Sequence, residues 1–151
     1  MALVVRPIRL LLAGSLAAGA FACAYGDFRP GDPLGREISL SDTHKAYTDA
    51  VRWLKFDEAA RHLPRENRAA YLAQMPDPEA GRFTDWEAKG WEFDDPETRT
   101  RATIEVTYRA FSEATLIAFK VTERQAWSRA DRANDWQLES EFTGLKQFGD
   151  R

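Results

Sequence analysis

The sequence predicts an α+β fold in which N-terminal helices pack on a curved, four-stranded antiparallel sheet in meander order. Three observations carry that expectation. Apolar residues recur at helical spacing up to about residue 75, strict alternation replaces that rhythm from Arg82, and the alternating runs are joined by short turns rather than by helices. The change of period falls at residues 76–81, PDPEAG, whose prolines and glycine break either pattern.

Taken in order, the first helix opens at Ser41 and Asp42, good N-cap residues, with Ala46, Tyr47, Ala50, Val51 and Leu54 as its core stripe. Asp57 caps a short second helix, whose apolar set is Phe56, Ala59, Ala60 and Leu63. Pro64 ends that helix and precedes a third, RENRAAYLAQM. A first strand spans about residues 83–93 and turns at DDPETR. The second is the clearest, because Ala102, Ile104, Val106, Tyr108 and Ala110 alternate with Arg101, Thr103, Glu105, Thr107 and Arg109. A third strand runs from about residue 115 to 129, and RADRAND leads to a fourth over residues 136–142. The solvent face, with Arg101, Glu105, Arg109, Lys120 and Arg124, suits cross-strand ion pairs.

The chain has 151 residues, 44% of them hydrophobic and 12% aromatic, enough to bury one genuine core. Its net charge is −3 and its Lys and Arg are not clustered, which excludes nucleic acid as the expected partner.

The first 22 residues read as a secretory signal peptide. Arg6 and Arg9 precede an uncharged run, LLLAGSLAAGAFA, that ends in small residues. As a permanent membrane span it is too short and carries Arg9 inside. Two cleavage chemistries meet at one bond. Ala20-Phe21-Ala22 is an A-x-A site for general signal peptidase, giving a soluble periplasmic chain, and AFAC resembles the bacterial lipobox, in which the cysteine is diacylated before cleavage. Cys23 is the only cysteine, and an unpaired thiol in an oxidising compartment is a liability that lipidation removes. Residues 23–37 then form the lipidation site and a flexible tether rich in Gly and Pro. Ala24 after the cysteine implies, within that resemblance, an outer-membrane lipoprotein facing the periplasm, attached to the membrane by its lipid anchor.

The element order and the phrases AVRWLKFDEAARHL, DWEAKGWEF, VTERQAW and WQLES resemble small bacterial lipoproteins of the nuclear transport factor 2-like (cystatin-like) superfamily. The resemblance implies a single domain over residues 38–151, a sheet curved round its helices, and a homodimer through the sheet. It includes ketosteroid isomerases, polyketide cyclases and epoxide hydrolases beside non-catalytic binding and assembly modules, so it does not select a function.

The chemistry is sparse. His44, near a helix start, and His62, at a helix end, are expected in solvent, and with one remote cysteine they make no metal set. No G-x-S-x-G elbow, dinucleotide fingerprint or P-loop is present, and no cofactor is expected. RENR at residues 65–68 reads as a solvated helix face.

The third strand is more informative. Ile117, Phe119 and Val121 share a face, and Glu123, Gln125 and Trp127 follow in the same phase. Projected into a concave pocket, Glu123 would have its pKa raised and could act as a base, with Tyr108 and Tyr47 as hydroxyl partners. The pattern favours a second arrangement, in which a β-bulge near Thr122 reverses the phase or the sheet outruns the helices, leaving Glu123 and Gln125 in water. Asp85 is in phase with Phe83, but its charged neighbours Glu87 and Lys89 point to an exposed stretch. Trp86 and Trp127, with Gln125, are candidates to line a ligand pocket, and Trp91 and Trp136 belong to the same aromatic set; large aromatics near curved sheets are more commonly core. The functional expectation is a non-catalytic envelope module that binds or assembles with envelope proteins or a small ligand. The alternatives are a cofactor-free isomerase or hydrolase using Glu123, and a carrier of a small apolar molecule.

Overall fold

The computed structural model describes residues 34–130 and 132–139. Cys23, the expected signal peptide, most of the expected tether and the last part of the expected fourth strand, residues 140–142, lie outside the described residues.

Helix α1, Arg36–Arg52, starts five residues before Ser41. Gly35 precedes it in the left-handed conformation, φ 63°, and its carbonyl accepts the Ser39 amide at 3.0 Å. Tertiary contacts hold this first turn where no side-chain cap does. The Trp136 indole N–H bonds to the Arg36 carbonyl at 3.2 Å and to Ser39 Oγ at 3.1 Å. Arg36 and Glu37 are therefore helix rather than tether, and Ser41 and Asp42 lie exposed within it. The buried stripe is Leu40, His44, Tyr47, Ala50 and Val51, whereas Ala46 faces solvent.

A short α2, Phe56–Ala60, begins at Lys55 rather than Asp57 and buries Phe56, Ala59 and Ala60, with Leu63 just beyond. The third helical segment is a 3₁₀ turn, Arg65–Asn67, running into α3, Arg68–Leu72. In RENR, Arg68 turns back to donate to the carbonyls of Leu63 and Arg61 at 3.1 and 3.0 Å, tying α2 to α3.

The sheet order is β1-β3-β4-β5, an antiparallel meander. The expected first strand is split into β1, Gly81–Ala88, and β2, Glu92–Phe93, both paired with β3, Arg101–Ser112. The inward residues of β3 are Ala102, Ile104, Val106, Tyr108 and Ala110, all buried, as the alternation requires. Strand β4, Ala118–Ser128, pairs with β3 without interruption from Phe111↔Ala118 to Arg101↔Ser128. Ile117 falls outside it, in the turn, and is 61% exposed. Strand β5, Gln137–Leu138, pairs with β4 at Trp127 and Ser128, and its Leu138 amide donates to the His62 carbonyl at 2.8 Å. On the outer face, the Lys89–Glu105 pair and Arg109–Glu87, at 3.9 Å, are cross-strand ion pairs of the expected kind.

The helices pack on the inner face of this curved sheet. Trp127 stands edge-on to Tyr47 at 5.6 Å and to His44 at 6.2 Å, so one tryptophan of β4 carries the centre of α1.

Candidate functional site

The bulge expected near Thr122 is absent from the β3–β4 ladder, and burial alternates without a break through Val121, Glu123, Gln125 and Trp127. A strand whose register is pinned along eleven residues cannot reverse the phase of two of them. Glu123 is consequently 3% exposed and Gln125 fully buried, which corrects the expectation that both stand in water. The irregularity lies instead in β1, where Phe83 pairs with Ala110 and Asp85 with Arg109, leaving Thr84 extra. That one residue turns Asp85 out to solvent and Trp86 in.

The inward residues of β4 bond to one another along the strand. Gln125 Nε2 donates to Glu123 Oε2 at 2.8 Å and lies 3.4 Å from the Tyr108 hydroxyl, while Trp127 Nε1 donates to Gln125 Oε1 at 3.1 Å. Gln125 thus uses both ends of its amide. Burial pushes the Glu123 carboxyl up to about 8, against the opposing pull of hydrogen bonds from Gln125, Tyr108 and Tyr47. At neutral pH the group is a neutral acid, so it carries an O–H to donate rather than an anion to solvate. The Tyr47 and Tyr108 hydroxyls are both raised well above their ordinary range, first by burial and then by Glu123, and Tyr71 is raised by burial against the opposing pull of a hydrogen bond with Tyr47. The sequence placed Glu123, Tyr108, Tyr47 and Gln125 as candidates, and the fold brings all four together. It also adds Tyr71, from α3, which no spacing argument had connected to them.

His44 is the clearest correction. It is 3% exposed in the middle of α1, its ring edge-on to Trp86 at 5.5 Å and Trp91 at 5.2 Å. Burial lowers it to about 4, only partly offset by Asp49, so it is neutral at physiological pH. Asp49 in turn accepts the Trp86 indole N–H at 3.0 Å. A signal was available, since Leu40, His44, Tyr47 and Val51 keep the helical spacing of a core stripe. His62 is half-buried rather than exposed, edge-on to Tyr47 at 6.1 Å. Burial lowers its pKa as well.

Glu123 lines neither of two surface cavities formed by the described residues. One, of about 400 Å³, lies between the end of α1 and the start of β1, with Trp53, Leu54, Pro78 and Phe83 in its wall. The other, of about 260 Å³, lies on the outer sheet face among Lys89, Glu105 and Arg124. Trp127 is closed in the core, and Trp86 is half-buried against His44. Among the described residues no three His, Cys, Asp or Glu side chains converge as a metal site. No helix there is long and apolar enough to cross a membrane.

No protein-family model matches this chain, and no curated protein matches it.

Proposed function

We propose that this chain is an exported, lipid-anchored cell-envelope protein, held to the outer membrane through Cys23 and acting as a non-catalytic binding or assembly module of the nuclear transport factor 2-like kind. One observation carries the non-catalytic part: the carboxyl of Glu123 is enclosed by Gln125 and the tyrosines of its own core, while large apolar side chains stand outside it. A general base must reach a substrate proton, and Glu123 is 3% exposed and lines neither cavity. Trp53 at 66% exposure, Leu116 at 70% and Ile117 at 61% are the residues a partner would cover. The anchor rests on the signal-like N-terminus and the lone Cys23.

The test is incorporation of labelled palmitate in cells making the natural chain or Cys23→Ser. Label in the first and none in the second supports the anchor. A natural chain that matures unlabelled overturns it.

A second reading has its own support. A carboxyl raised to about 8 among three tyrosines is the equipment of a proton-transferring isomerase. That reading requires the core to open to a ligand. Glu123→Gln separates the two: an isomerase loses turnover, whereas a binding module keeps its fold and its partner.

A further inference from the structure

We draw no further inference here: the strongest candidate, the recess of about 400 Å³ between the end of α1 and the start of β1 with exposed Trp53 in its wall, is an unpartnered face, and nothing in the structure shows what covers it.

Discussion

Gln125 donates a 2.8 Å hydrogen bond to Glu123 from two positions further along the same strand, so a buried carboxyl takes a partner from its own strand. The i, i+2 relation matters because alternate strand residues share a face whatever the rest of the fold does. Glu123, Gln125 and Trp127 form a ladder that β4 builds by itself, and Tyr108 and Tyr47 close over it from β3 and α1.

The ionisation of Glu123 should be visible in the pH dependence of stability. The folded chain keeps its proton to about 8, whereas an ordinary glutamate releases it near 4.5. Between those values the folded state holds more protons than the unfolded one, so this group makes stability fall as pH rises. Thermal melts should decline from about pH 6.5 to pH 8, by an amount on the order of a few kcal/mol over the full transition. Glu123→Gln, a neutral mimic, should flatten that decline; an unchanged slope would show that Glu123 ionises freely in the fold.

Gln125→Leu removes the link between a buried indole N–H and a buried carboxyl. Leaving two such groups unsatisfied costs about 1–3 kcal/mol each, so chemical denaturation should show a loss of about 2–6 kcal/mol. Gln125→Glu should be worse above neutral pH, because it sets a second carboxyl beside Glu123. A neutral outcome for Gln125→Leu would mean that Trp127 and Glu123 find other partners.

The shared phase of Glu123, Gln125 and Trp127 was legible in the sequence because it depends on period two alone, but their burial was not: the sequence favoured a bulge near Thr122 that would leave Glu123 and Gln125 in water, and only the unbroken pairing with β3 excludes it. The bulge at Thr84 was not legible. Nothing local distinguishes that position, and only its pairing with Ala110 and Arg109 shows which of Asp85 and Trp86 turns inward. The start of α1 was hidden for a similar reason, since the partner of its first turn is Trp136, 100 residues away. Ser41 and Asp42 carry good cap chemistry and yet lie inside the helix, because distant contacts outweigh a local preference of about 1 kcal/mol. Tyr71 joined the Glu123 group through tertiary packing that no spacing encodes.

His44 should set the acid limb of stability. The folded chain holds its imidazole neutral to about 4, while an unfolded histidine takes its proton near 6.5. In that window the unfolded state binds more protons, so stability falls as pH drops, and half-buried His62 acts in the same direction. Glu123 opposes both histidines between about 4.5 and 6.5, which should leave a shallow optimum there. His44→Phe keeps a ring among Trp86, Trp91 and Trp127 and should shift the acid unfolding midpoint downward; an unmoved midpoint would show that His44 titrates normally.

Arg129 should govern the end of the domain where α1 begins. It is 7% exposed, and its guanidinium donates to the carbonyls of Arg99 at 2.8 Å, Ala130 at 2.9 Å, Ala133 at 3.0 Å and Thr98 at 2.5 Å, lying over the Trp136 ring at 5.6 Å. Arg36 donates to the same Thr98 carbonyl, so two cations from opposite parts of the chain meet on one acceptor. Asp95 organises the approach by accepting the Glu97 amide at 2.8 Å and the Thr98 hydroxyl at 2.9 Å, which places both carbonyls toward the guanidinium groups. A lysine offers one ammonium where the planar fork reaches four separated oxygens, so Arg129→Lys keeps the charge and loses most of the bonds. The expected loss is about 2–3 kcal/mol, with amide exchange accelerating first at Arg99 and Ala133 while the β3–β4 ladder stays protected. Exchange that accelerates uniformly, or a variant as stable as the natural chain, would show that the loops around Arg129 are held by other contacts.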